Sequence, residues 1–94
     1  MKVEMTVSIT KPGGGIELVR KEVDLPFAPN IGMEIECAAW KSQRKVKNVT
    51  LSFDQDYEEA YLNLYMGKDE TNNEEEQKKL VEMYKEHGWI LVGE

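Results

Sequence analysis

Val3, Met5, Val7 and Ile9 are apolar at every second position, with Glu4, Thr6 and Ser8 between them. Side chains of a strand point alternately to its two sides, so this pattern predicts a strand with one face in a core and one in water. Pro12-Gly13-Gly14-Gly15 follows. Glycine enters turn conformations without a steric penalty, and the segment predicts a hairpin. A second strand is expected over 16–25. Its apolar residues Ile16, Leu18, Val19, Val23 and Leu25 do not keep one phase, which predicts a bulge or bend near 19–21. Pro26 has no N–H to donate and ends the ladder. The apolar connection over 25–32, with Pro26 and Pro29, is expected to fold over one end of the core.

Three further strands are predicted. Over 33–40, Met33, Ile35, Cys37 and Ala39 share one face, and Glu34, Glu36, Ala38 and Trp40 the other. Over 45–53, Val49, Leu51 and Phe53 are in phase. Over 59–66, Ala60, Leu62, Leu64 and Met66 face one way, and Tyr61, Asn63 and Tyr65 the other. After Gly67 the apolar period lengthens from 2 to 3.6. Leu80, Met83, Tyr84 and His87 then form a helical stripe with Val81 beside it. Thr71 with Glu74 and Asn73 with Glu76 compete as the capping box that starts this helix. Gly88 suits its C-terminal stop, and residues 89–92 predict a short last strand.

Five strands, one C-terminal helix and a short final strand make a single α+β domain over residues 1–94. Short connections favour a mostly antiparallel meander. One helix of about four turns cannot cover a wide flat sheet. The sheet is therefore expected to curl around the helix, as a meander or a partly closed barrel, or else to find a partner.

Composition adds limits. The 94 residues are 40% hydrophobic and 32% charged, enough apolar surface for a packed core. The net charge of −6 argues against general binding to nucleic acid or to an anionic membrane. Its distribution sharpens this. Residues 1–47 carry eight bases and six acids, so the −8 that remains belongs to residues 48–94. No apolar run approaches the ~18–20 residues of a membrane span. Met1 to Val7 lacks the apolar stretch of a signal peptide. Cys37 is the only cysteine, which excludes an intrachain disulfide and fits a reducing, cytoplasmic location.

Candidate chemistry is sparse. Lys41, Arg44, Lys45 and Lys47 follow Trp40 with no acid among them. A basic hairpin beside an aromatic can hold an anion or a nucleic-acid strand. Asp54-Gln55-Asp56 opens like a calcium loop. It fails at the sixth position, where Glu59 stands for glycine, and at the twelfth, where Tyr65 stands for glutamate. Cys37 and His87 are the one thiol and imidazole, the only such pair a small-ligand pocket or enzyme could use. No nucleophile elbow and no phosphate loop occur, and no cofactor or metal is implied. Trp40, Tyr61 and Tyr65 fall on the non-core sides of their strands and form a candidate interface. The acids at 69–70 and 74–76 suit a solvated helix start. The sequence thus points to a non-enzymatic protein-interaction module that binds a partner or itself through an aromatic sheet face.

Overall fold

A computed structural model describes residues 2–52 and 61–93. In chain order the elements are β1 (Lys2–Thr10), β2 (Ile16–Asp24), β3 (Glu34–Ile35), β4 (Arg44–Lys45), β5 (Asn48–Ser52), β6 (Tyr61–Glu70), α1 (Glu74–Glu86) and β7 (Ile90–Leu91). The fold is α+β. Five strands form an open mixed sheet in the order β5-β6-β1-β2-β7, and β3 and β4 form a second small sheet.

The expected meander is corrected. β1 lies at the centre, antiparallel to β2 and parallel to β6. The remaining pairs, β5 with β6 and β2 with β7, are antiparallel. The centre goes to the strand with the longest unbroken apolar alternation. Val3, Met5, Val7 and Ile9 are all buried, and a central strand buries most of what its inner face offers.

The sheet stays open, and a second layer covers the part of the same face that the helix leaves free. Helix α1 packs on β1, β2 and β7. The excursion over 25–47 covers much of the remainder. Val46 is fully inside the core, and Met33, Ile35, Cys37, Ala39 and Trp40 pack against it. This layer also explains two shortened strands. The strand predicted over 33–40 is reduced to Glu34–Ile35. It then turns, with the Trp40 N–H donating to the Cys37 carbonyl at 2.9 Å. The strand predicted over 45–53 breaks at Val46. There the N–H of Val46 donates to Met33, and its carbonyl accepts from Gly32, both at 2.8 Å. Val46 thereby leaves the ladder for the core, and pairing with β6 resumes at Asn48. In the proline-rich connection Pro29 is buried, whereas Phe27 and Ile31 stay exposed.

The predicted bulge near 19–21 is also corrected. β2 pairs with β1 without interruption from Lys2 opposite Asp24 to Thr10 opposite Ile16. Val19 and Val23 face the core with Lys21 between them. The Lys21 ammonium donates to the His87 carbonyl at 2.8 Å, so a cation caps the helix C-terminus. Ile16 and Leu18 simply occupy the other face. The irregularity lies in β6: Thr6 is opposite Tyr65, but Ser8 is opposite Lys68. Two steps on β1 meet three on β6. The extra residue is absorbed beside Gly67, whose φ of +104° is a left-handed conformation that favours glycine. The bulge shifts the phase of β6. Leu62, Leu64 and Met66 face the helix side, and Asp69, opposite Ile9, then faces it too.

Of the two capping boxes, Asn73 wins. Its side chain accepts from the Glu76 N–H at 2.9 Å, and the Glu76 carboxylate accepts from the Asn72 N–H at 2.8 Å. The Thr71 hydroxyl instead donates to the Thr10 carbonyl at 2.6 Å and closes the end of the β1–β6 pair. At the other end Gly88, with φ +87°, turns the chain. The N–H groups of Gly88 and Trp89 cap Lys85 and Tyr84 at 3.1 and 3.0 Å. The buried stripe is Gln77, Val81 and Tyr84. Among the described residues no helix is long and apolar enough to cross a membrane.

Candidate functional site

The phase shift in β6 brings four residues into a ring that the sequence does not announce. Asp69 accepts from the Arg44 guanidinium on one carboxylate oxygen. On the other it accepts from the Tyr84 hydroxyl at 2.6 Å. The Tyr84 oxygen accepts from the Trp40 indole N–H at 3.0 Å. The Arg44 guanidinium lies 5.0 Å from the centre of the Trp40 ring and closes the cycle with a cation–π contact. Trp89 supports it from the core side, 5.8 Å from Trp40 and 5.1 Å from Tyr84 between ring centres. The cycle joins the 25–47 layer, β6 and α1 at one point.

A cleft of about 640 Å³ opens beside this ring. Ala39, Trp40, Leu80 and Met83 supply its apolar walls, and Lys41, Ser42, Lys68 and Glu70 its rim. Lys68 and Glu70 pair with each other at 3.1 Å. Each polar group of the ring is already committed to a neighbour. The Tyr84 hydroxyl is held in its protonated form, its pKa raised well above 10.0. Burial is the first cause, followed by its hydrogen bond to Asp69 and the charge of that carboxylate. The arrangement anchors one layer to another.

Linkage gives this a pH signature. A tyrosine whose pKa is raised on folding stabilises the fold fully below the unfolded value of 10.0 and loses that contribution as pH rises above it. Stability of the wild type is expected to fall beyond pH 10.0 by up to about 1.4 kcal/mol per pH unit through this one group. In urea titrations at successive pH values, Tyr84→Phe should show a shallower alkaline decline. Equal slopes would mean that Tyr84 is not the group responsible.

The residues singled out from sequence are dispersed. Trp40 faces the helix layer, in the ring. Tyr65 lies on the opposite face of the sheet, its hydroxyl 2.6 Å from the Ser8 hydroxyl. Tyr61 pairs with Ser52, and its side chain lies outside the described residues. The structure therefore parts Trp40 from Tyr65. Of the basic segment, Arg44 is engaged by Asp69. Lys41, Lys45 and Lys47 are exposed, and Lys45 stands opposite Glu34. Cys37 is half-buried against the core and lines a shallow cleft of about 440 Å³ in which His87 has no part. His87 caps α1. The Asp54-Gln55-Asp56 turn lies outside the described residues, and no group of three or more potential metal ligands occurs among those described.

The face of the sheet away from the helix carries its own polar lattice. Asn63 donates to Glu4 at 3.1 Å and to Thr6 at 3.0 Å, and Arg20 donates to Glu4 at 3.1 Å. Beside this lattice Ile16, Leu18 and Ile90 are 61%, 38% and 56% exposed. Leu18 is opposite Ser8 and Ile90 is opposite Arg20, which places the three aliphatic residues on one face as a stripe, with Ile16 two residues along β2 from Leu18 and Ile90 one diagonal step across on β7.

No protein-family model, curated protein or solved structure matches the chain.

Proposed function

We propose that the protein is a non-enzymatic interaction module that binds a protein partner through the uncovered face of its sheet. One observation carries the reading. The helix and the 25–47 layer lie on one side of the five strands, and the other side exposes Ile16, Leu18 and Ile90 as a group. Single exposed aliphatics are ordinary, but a cluster rimmed by polar residues marks interaction surfaces. Here the rim is Arg20, Glu4, Asn63 and Tyr65. Tyr65 is the member of the sequence-derived aromatic set that this face supports.

The size of the face sets the class of contact. Even if all five strands were as long as the nine-residue β1 and β2, at ~4.8 Å spacing they would present roughly 700 Å², and β5 and β7 are shorter. A standard stable interface takes roughly 800 Å² from each partner. The reading is therefore of a weak or transient contact, whose strength rests on a few central side chains.

The test is affinity capture with mass-spectrometric identification, comparing Leu18→Lys plus Ile90→Lys with Lys41→Glu plus Lys45→Glu. The first pair is expected to lose a specific partner that the second retains. Loss with the second pair alone would transfer the function to the basic segment and refute the open-face reading.

A further inference from the structure

β5 is the outer strand of the main sheet, and among the described residues no strand or backbone group pairs with its free edge. Natural edge strands are protected by charges, prolines or bulges that prevent pairing with another chain. β5 reads Asn-Val-Thr-Leu-Ser. It has none of these, in a chain that is 32% charged. Leu51 is also 55% exposed. It shares its face with Val49, because their partners Leu62 and Leu64 both face the helix side.

We infer that β5 pairs antiparallel with β5 of a second copy of this chain, about a twofold axis through Thr50, to give a continuous ten-stranded sheet. The sequence of the strand is self-complementary in that register. Thr50 stands opposite itself, Val49 opposite Leu51 of the other copy, and Asn48 opposite Ser52. Each exposed Leu51 gains a β-branched neighbour on the same face, the kind of cross-strand pair that stabilises sheets. Charge permits the approach despite a net −6 per chain. The paired strands themselves carry no charge, and the helix, with five acids and three bases, packs over β1, β2 and β7, so pairing at β5 keeps the two helices about 30 Å apart, several Debye lengths at physiological salt. Two-fold, self-complementary contacts are the commonest way for identical chains to associate.

The edge and the open face are different surfaces, so their tests separate. Light scattering is expected to show twice the 10.8 kDa chain mass at high concentration. Leu51→Lys should return it to the monomer mass with an unchanged circular dichroism spectrum, while Leu18→Lys should leave it dimeric. Disulfide trapping fixes the register. In a Cys37→Ser background, Thr50→Cys should cross-link to itself on mild oxidation, because residues on the axis are ~4.5–5.5 Å apart. Asn48→Cys should not, because its copies lie roughly 13 Å apart along the strands. A monomer at every concentration would overturn the inference. So would equal trapping at both positions. A dimer that survives Leu51→Lys but dissociates with Leu18→Lys would also overturn it, while leaving the open-face function standing.

Discussion

Replacing Asp69 by alanine is expected to lower stability by about 3 kcal/mol, the usual scale for removing one partner of a substantially buried ion pair. The reason lies in what is left behind. Arg44 keeps a charge that is only 25% exposed, and the Tyr84 hydroxyl keeps a proton with no acceptor. Unsatisfied buried donors cost more than the lost bond itself contributed. For a domain of this size 3 kcal/mol corresponds to a melting temperature roughly 12–24 °C lower. Asp69→Asn keeps an acceptor for Tyr84 and should lose less. In a double-mutant cycle, Arg44→Met added to Asp69→Ala should recover part of the loss, since the stranded charge goes with it. Thermal denaturation of the four proteins measures this. Strictly additive losses would show that the ring does not act as a unit.

Leu64→Ala is expected to cost about as much, roughly 2–5 kcal/mol, by a different mechanism. Leu64 is fully buried and stands between Met5 of β1 and Val49 of β5. Its truncation strands no charge. It removes apolar area and leaves a cavity where the parallel and antiparallel pairings meet. The control is Ile31→Ala in the 25–47 layer, 66% exposed, which should cost well under ~1 kcal/mol. Urea titration should show unequal midpoints for the two variants. Similar midpoints would contradict the assignment of Leu64 to the core.

These residues show where the sequence speaks and where it does not. The alternation Val3-Met5-Val7-Ile9, the Pro-Gly turn and the helical stripe of Leu80, Met83, Tyr84 and His87 are local signals, and each became the expected element, although the buried side of the helix is shifted to Gln77, Val81 and Tyr84. The buried Gln77 was within reach of the same reasoning. It lies four residues before Val81 on the stripe. Its amide donates to the carbonyls of Ile9 and Gly15 at 2.9 and 3.2 Å, which ties the helix to the first hairpin. Strand order was out of reach, because nothing local in β6 distinguishes a parallel partner from an antiparallel one. The 25–47 layer was hidden for a related reason. Met33, Ile35, Cys37 and Ala39 alternate like a strand, but a full-length strand also needs a partner, and only Glu34–Ile35 finds one in β4. Asp69 was invisible because simple alternation from Leu64 puts it in water. Only the extra residue at Gly67 turns it inward, and with it the ring that Trp40, Arg44 and Tyr84 complete.

In the proposed function the ring and the open face have complementary parts. By fastening the 25–47 layer to α1 and β6, the ring keeps one side of the sheet sealed and leaves the other as the surface for contact. Site-specific photocrosslinking in cells tests this most directly, with a benzophenone amino acid placed at Leu18 on the open face or at Met83 in the cleft on the sealed side. A discrete protein adduct is expected from position 18 and none from position 83. An adduct from position 83 with none from position 18 would contradict it.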